Sequence, residues 1–177
     1  MALTVWRHPR PDGVGGLCVG AGSDARVHWR RAKRLARRIQ AHARRHRLAH
    51  AVVTSPLSRC ADVGAWLARW GWVHHVDAGL LEFDFGSWEG RRWDDIGQAA
   101  VEAWTADFLH HRPGGGECLA ALLARAGGWA APPDGTALAV SHGGWMLARR
   151  WPATHTEPPT AAQWPAPPQY GEGWPLV

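Results

Sequence analysis

The stretch Leu3-Thr-Val-Trp-Arg-His8 decides the fold together with a second stretch, Thr136-Ala-Leu-Ala-Val-Ser-His-Gly-Gly144. Each contains a short apolar run of strand length, and in each a histidine stands where the strand gives way to a loop or helix. The carboxyl ends of the strands in a parallel α/β sheet line the crevice that binds ligand. We therefore expect His8 and His142 to share one pocket, although they are far apart in the chain.

Outward from these two strands, helical and strand patterns alternate along the chain. Ser55 and Pro56 have the residue types of a helix N-cap and first helical position. Further strands are predicted at 49–54, at 73–76 and near Tyr170, and helices at 28–47, 56–70, 92–110, 117–130 and 143–150. The alternation predicts an α/β three-layer sandwich with a mainly parallel central sheet flanked by helices. The length fits one domain over residues 1–177, with the Pro-rich tail from residue 152 running over the surface.

Charge and residue usage bear on whether the chain binds nucleic acid. The net charge of +5 and pI near 10 suggest nucleic acid as a partner. However, Lys33 is the only lysine, asparagine is absent, and arginine and tryptophan are abundant, a bias that a GC-rich genome explains through codon usage. The arginines of residues 30–47 are then interpreted as a solvated helix face, and nucleic-acid binding is not expected.

The three cysteines, Cys18, Cys60 and Cys118, suit neither a disulfide framework nor a zinc site. We expect reduced thiols and neither a metal nor another cofactor. No apolar run is long enough to cross a bilayer, and the first residues lack the pattern of a signal peptide. The expected compartment is the cytoplasm, without a membrane partner, and the oligomeric state is left open.

Two more segments carry chemistry-bearing residues after predicted strands. Ser55-Pro56-Leu57-Ser58-Arg59 follows the strand at 49–54, and Leu81-Glu82-Phe83-Asp84-Phe85-Gly86 follows the strand at 73–76. Two histidines, two arginines and one carboxylate at one sheet edge are suited to binding phosphate, since arginine pairs bidentately with phosphate oxygens. The expected partner is a small-molecule phosphate ester.

In this order, the four segments resemble those of the histidine phosphatase superfamily, which has the phosphoglycerate mutase-like fold. The family pattern is Arg-His-Gly, Ser-Pro-x-x-Arg, an acidic residue ahead of Phe-Gly-x-Trp-Glu-Gly, and Ser-His-Gly-Gly. The matching segments begin at Arg7, Ser55, Glu82 and Ser141. The stretch 81–90 and the short chain are most similar to the α-ribazole phosphatase-like branch, which implies α-ribazole 5'-phosphate and cobalamin biosynthesis.

The residue types support a definite chemistry. A neutral imidazole at His8 would attack phosphorus and form a phosphohistidine. Arg7 and Arg59 would hold the phosphate oxygens, and a cationic His142 would stabilise charge on the transferring group. Glu82 would protonate the leaving oxygen and later activate water. Asp84 and Glu89 compete for that role, and the resemblance favours Glu82.

Two departures from the family pattern concern the first motif. Pro9 stands in place of the usual glycine, so one backbone N–H is absent. Arg10-Pro11-Asp12-Gly13 stands where the family commonly has a threonine and a phosphate-binding asparagine. Arg10 is a candidate substitute for that asparagine.

These observations leave several functions open. The first is a metal-independent phosphomonoester hydrolase. The second is a phosphoglycerate mutase-type phosphoryl transferase, although the short span between Glu82 and His142 leaves little room for the insertions that shield a mutase site from water. A catalytically weak relative and a basic nucleic-acid-binding protein are the remaining alternatives.

Overall fold

The fold is a mainly parallel sheet between layers of helices, seen in a computed structural model that describes residues 3–176. Within these residues five strands form one sheet in the order β3-β2-β4-β1-β5. The strands are β1 (Leu3–Arg7), β2 (Ala51–Thr54), β3 (Val73–Val76), β4 (Leu138–Ser141) and β5 (Gly173–Leu176). The first four are parallel, and β5 is antiparallel to β1. This arrangement confirms the predicted α/β class and mainly parallel sheet.

Alternating side chains of the strands form two cores on opposite faces of the sheet. The helices are α1 (Trp29–His46), α2 (Ser58–Ala68), α3 (Gln98–Ala106), α4 (Leu119–Gly128) and α5 (Gly143–Thr154). Leu138 and Val140 point to the core that α1 and α2 cover, whereas Ala139 between them joins the core under α4 and α5. Both faces are therefore covered, which explains why β2 and β4 are buried at every position.

The structure corrects the predicted start of α2. Ser55 does not cap this helix, which begins at Ser58 and has Leu57 at its N-cap without a side-chain cap. Instead, Asp24 accepts a hydrogen bond from the Ser58 N–H at 2.7 Å. The N–H of the first helical residue is thus satisfied by a residue distant in sequence. The Ser55 hydroxyl instead accepts from the Leu57 N–H at 3.4 Å and contacts His142.

Two other helix boundaries also differ from the sequence prediction. The helix expected at 92–110 is shortened to α3, and a separate 3-10 turn occupies Trp93–Asp95. The helix expected to end near Arg150 continues through Pro152 to Thr154. Pro152 lies in the last turn, where the loss of one N–H donor removes little of the helical hydrogen bonding.

The parallel register aligns the ends of the three central strands. Arg7 is paired with Ser141 across β1 and β4, and Thr54 with Val140 across β2 and β4. The next residues continue the ladder, because the His8 N–H donates to Ser141 O at 3.0 Å and the Ser55 N–H to Val140 O at 3.1 Å. His8, Ser55 and His142 consequently meet at one edge of the sheet. Among residues 3–176, no helix is long and apolar enough to span a membrane.

Candidate active site

A cavity of about 360 Å³ lies at the carboxyl edge of the sheet. Four residues singled out from the sequence line it: Arg7, His8, Arg59 and Glu82. The fifth, His142, lies behind this wall, with its ring centroid 5.1 Å from that of His8. The structure thus brings all five residues into one cluster, and four of them face the space that a ligand would occupy.

His8 is held in the state that a nucleophile requires. Its Nδ1 lies 2.8 Å from the carbonyl oxygen of Pro9, and since a carbonyl only accepts, Nδ1 must carry the proton. The lone pair is then on Nε2. Burial, together with the nearby charge of Arg59, lowers the pKa of His8 to about 3. The ring is therefore neutral near pH 7, and its reactive nitrogen is fixed by the tautomer.

Arg59 is a buried cation held by backbone carbonyls. It donates to Gly20 O at 2.9 Å, to Ser23 O, and through Nε to His142 Nδ1 at 3.3 Å. A guanidinium has five N–H donors, so one on each terminal nitrogen is available to a ligand. Its position on the cavity wall directs positive charge toward that ligand.

Arg7 supplies a second cation beside His8. Its Nη1 donates to Pro168 O at 2.6 Å, and its guanidinium lies over the ring of Tyr170, 3.9 Å from the centroid. The buried Nε has no hydrogen-bond partner among the described residues. Burial lowers the pKa of Arg7, but arginine remains charged at neutral pH. The stacked ring and the carbonyl fix the direction of this charge.

His142 is fully buried, and both ring nitrogens have protein partners. Nδ1 accepts from Arg59, so Nε2 carries the proton and donates to Ser55 Oγ at 2.8 Å. Burial, and after it the nearby positive charges of Arg59 and Arg7, lower the pKa of His142 well below its ordinary value. The ring is neutral in the ligand-free site. The expectation that His142 is cationic and contacts the phosphate therefore remains a prediction for the ligand-bound protein.

Glu82 lies at the N-terminus of α5. Its carboxylate accepts from the N–H groups of Gly144 and Trp145, each at 3.2 Å, and of Phe83 at 2.9 Å. The positive end of the helix dipole favours a carboxylate at this position. Gly144 makes the approach possible, because a Cβ there would lie 2.5 Å from Glu82 Oε1.

The competing carboxylates have structural partners. Asp84 accepts from the Gly86 N–H at 2.8 Å. Glu89 accepts from the N–H groups of Gly20 and Gly22 at 2.9 and 3.1 Å, and from the Ser23 hydroxyl. It therefore stabilises the loop whose carbonyls hold Arg59. Of the three acidic residues, Glu82 is the one that lines the cavity with His8.

Arg10, the candidate substitute for the missing asparagine, is not among the residues that line the cavity. Its side chain is exposed, and its backbone carbonyl accepts from Arg31 Nη1 at 3.0 Å. Pro9, the other departure, contributes the carbonyl that fixes the His8 tautomer. A proline has no N–H but keeps its carbonyl, so the substitution of glycine by proline preserves this contact.

Sequence reasoning missed two residues of the site. Ser55 is the hydroxyl partner of His142, and Tyr170 forms the wall next to Arg7 and His8, with ring centroids 5.5 Å apart for Tyr170 and His8. The sequence predicted only a strand near Tyr170, and the structure shows that this residue precedes β5, which pairs antiparallel with β1. The start of β5 must then lie beside the end of β1. Among residues 3–176 no group of three or more His, Cys, Asp or Glu side chains is arranged to hold a metal ion.

Comparison with known proteins gives a family match. The sequence model of the histidine phosphatase superfamily (branch 1) matches residues 6–169. No curated protein matches the chain significantly.

Solved structures include similar proteins with different activities. A mycobacterial glucosyl-3-phosphoglycerate phosphatase is 27% identical, with 83% of this chain and 76% of that chain covered and a TM-score of 0.65. A putative alpha-ribazole-5'-P phosphatase from Escherichia coli K-12 is 23% identical, with coverages of 83% and 77% and a TM-score of 0.64. A phosphoglycerate mutase from Thermus thermophilus is 22% identical, with coverages of 98% and 91% and a TM-score of 0.67. At such identities, the last two show similarity of fold alone.

Proposed function

The chain belongs to the histidine phosphatase superfamily and is a phosphatase, and we propose that it hydrolyses phosphomonoesters without a metal, through a phosphohistidine at His8. One observation carries the proposal. His8 is a buried, neutral imidazole whose Nδ1–H is held by Pro9 O, so its lone pair is on Nε2. The same residue lines a cavity together with two arginines.

In the first step His8 Nε2 attacks phosphorus, and the bond between phosphorus and the ester oxygen breaks. Arg7 and Arg59 neutralise the phosphoryl oxygens, which places the positive charge that phosphoryl transfer needs on protein groups. Glu82 enters this step protonated, gives its proton to the departing alcohol oxygen, and becomes the carboxylate that the N–H groups at the start of α5 hold. The products of this step are the free alcohol and the phosphohistidine.

In the second step water attacks the phosphohistidine, and Glu82 takes the proton from that water. The N–P bond breaks, inorganic phosphate leaves, and His8 regains its lone pair. His142 supports both steps through Arg59, and we propose that a bound phosphate dianion also recruits it as a direct donor.

The finer proposal is α-ribazole 5'-phosphate as substrate, with a role in cobalamin biosynthesis. The stretch Leu81-Glu82-Phe83-Asp84-Phe85-Gly86-Ser87-Trp88-Glu89-Gly90 supports it through its resemblance to that branch. We propose the cytoplasm as the compartment and residues 1–177 as one domain. A phosphoglycerate mutase activity is the competing assignment, and it differs in the group that finally accepts the phosphoryl group.

The direct test is capture of the intermediate. A rapid quench in base after mixing the enzyme with an aryl phosphate labelled in the phosphoryl group is expected to leave label on the protein, released later by acid as for a phosphohistidine. His8→Ala should give no label, whereas His110→Ala, at an exposed histidine, should label as the wild type does. Turnover that persists in EDTA and stops with vanadate is expected. Activity lost with chelator and restored by a divalent ion would contradict the proposal.

A further inference from the structure

A second cavity, which we call the aromatic cavity, adjoins the first. It has a volume of about 330 Å³, within the range of about 300–1,000 Å³ that is usual for small-molecule sites. Its walls come from the loop after Glu82, from α3 and the residues following it, and from the tail near residues 161–167. Glu82, Phe85 and Pro167 line both cavities. The two spaces therefore adjoin at these three residues.

Five of the residues that line the aromatic cavity are aromatic. Phe85 and Trp104 have ring centroids 5.9 Å apart, Trp104 and Phe108 5.5 Å, and Phe108 and Trp164 6.0 Å. Leu119, Leu122 and Leu147 form its base. Such a surface gains free energy by covering apolar area and offers few partners to hydroxyl groups.

The position of Glu82 determines what part of a substrate enters this space. A general acid must reach the ester oxygen, which joins the phosphoryl group to the alcohol. With the phosphoryl group beside His8 and its ester oxygen at Glu82, the alcohol extends past Glu82 and away from His8. Two further cavities are lined by Glu82. The one that also contains Arg112 and Arg125 shares only Glu82 with the first cavity, whereas the aromatic cavity shares Phe85 and Pro167 as well. The aromatic cavity is therefore the better placed of the two to receive the alcohol.

We propose that the aromatic cavity binds the alcohol part of the substrate, and that this part is an apolar, ring-bearing group rather than a polyol or a sugar acid. This inference rests on the proposed function for the location of the phosphoryl group. It adds a substrate class, selected by the rings of Trp104, Phe108 and Trp164.

Two esters isolate the effect: 2-phenylethyl phosphate and ethyl phosphate. Both release a primary alcohol, so their leaving oxygens need protonation by Glu82 to the same degree. The two esters differ only by the phenyl ring. Burial of that ring should raise kcat/KM by roughly 10–100-fold. Glycerol 1-phosphate, whose alcohol carries hydroxyls instead, should stay near the value for ethyl phosphate. Equal kcat/KM for 2-phenylethyl and ethyl phosphate would overturn the proposal.

A matched pair of variants locates the effect in the structure. Ala161 lines the aromatic cavity and is half-buried, whereas its neighbour Ala162 is exposed and does not line it. Ala161→Trp should fill the cavity and remove the advantage of 2-phenylethyl phosphate over ethyl phosphate in kcat/KM. Ala162→Trp should keep the wild-type preference. If the two variants behave alike, the phenyl ring binds elsewhere and the proposal fails.

A binding measurement separates this proposal from the proposed function. Calorimetric titration with 2-phenylethylphosphonate and ethylphosphonate, which cannot be hydrolysed, should show the same preference for the phenyl compound. If that preference is present and neither ester is turned over, the hydrolase assignment fails and the aromatic cavity stands. If both esters are hydrolysed without a difference in rate or binding, the aromatic cavity fails and the hydrolase assignment stands.

Discussion

Arg59 Nε lies 3.3 Å from His142 Nδ1, and both side chains are buried. A guanidinium only donates, so the contact fixes His142 as an acceptor at Nδ1 and a donor at Nε2. The neutral ring of His142 thereby orients the guanidinium of Arg59, and Ser55 accepts a hydrogen bond from the opposite ring nitrogen. This relationship gives His142 a role that does not depend on its own charge.

The first prediction concerns His142→Ala. Loss of the ring should release Arg59 and remove a donor to the transition state, and we expect kcat to fall by about 10²–10³-fold. His142→Asn, whose amide oxygen can take the place of Nδ1 as acceptor, should recover part of the loss. Steady-state kinetics on an aryl phosphate will measure both. If kcat of His142→Ala lies within a factor of two of the wild-type value, His142 has no catalytic role.

The second prediction is a pH dependence of stability. In the unfolded chain His8 regains an ordinary pKa near 6.5, whereas in the folded protein burial and Arg59 lower it to about 3. Between these values the unfolded chain binds more protons than the folded one, so stability falls as the pH is lowered from 6.5 toward 3. Urea unfolding of His8→Gln over this range should show a shallower fall than the wild type. His110→Ala should retain the wild-type slope, and identical slopes for all three proteins would disprove the lowered pKa.

Much of this arrangement follows from the sequence. His8 and His142 end two apolar runs, and a parallel register brings such ends together without any knowledge of side-chain contacts. The predicted N-cap at Ser55 was wrong because a sequence pattern considers only neighbouring residues. In the structure the first N–H of α2 donates to Asp24, which is distant in sequence. The tail was expected to cover the surface. Most of its residues are indeed exposed. In addition, Trp164 and Pro167 form walls of the aromatic cavity, a contact that no local sequence pattern reports.

The third prediction tests the general acid. Glu82→Gln cannot donate a proton as an acid, and its amide NH₂ cannot accept from the N–H groups at the start of α5. The phosphorylation rate should fall strongly for an alkyl phosphate, whose leaving oxygen needs a proton, and little for p-nitrophenyl phosphate. Single-turnover measurements separate this step from hydrolysis of the intermediate. Equal losses for both esters would move the acid role to another residue, with Asp84 examined next.

The fourth prediction uses the close approach of Gly144 to Glu82. In Gly144→Ala the new Cβ would lie 2.5 Å from Glu82 Oε1, so the carboxylate must move away from the helix N-terminus. We expect the same selectivity as in Glu82→Gln, with alkyl esters affected more than aryl esters. Gly127→Ala, in α4 with no atom within 4 Å of its Cβ, is the matched control. A Gly144 variant with unchanged selectivity would mean that the position of the carboxylate is not critical.

The last prediction is that the phosphoryl group ends on water. The cavity is bordered by Tyr170, which is 40% exposed, and the loop after His8 contains the exposed glycines Gly13, Gly15 and Gly16. From both features we infer that water reaches a phosphohistidine at His8, whereas a mutase must exclude it. Incubation with 3-phosphoglycerate and a bisphosphoglycerate primer should yield inorganic phosphate or no reaction, without 2-phosphoglycerate. In a parallel reaction α-ribazole 5'-phosphate should release phosphate faster than other esters do. His8→Ala should abolish both reactions, because the nucleophile is lost. Rapid formation of 2-phosphoglycerate with little free phosphate would instead establish a mutase, since it requires that the phosphohistidine outlive its exposure to water.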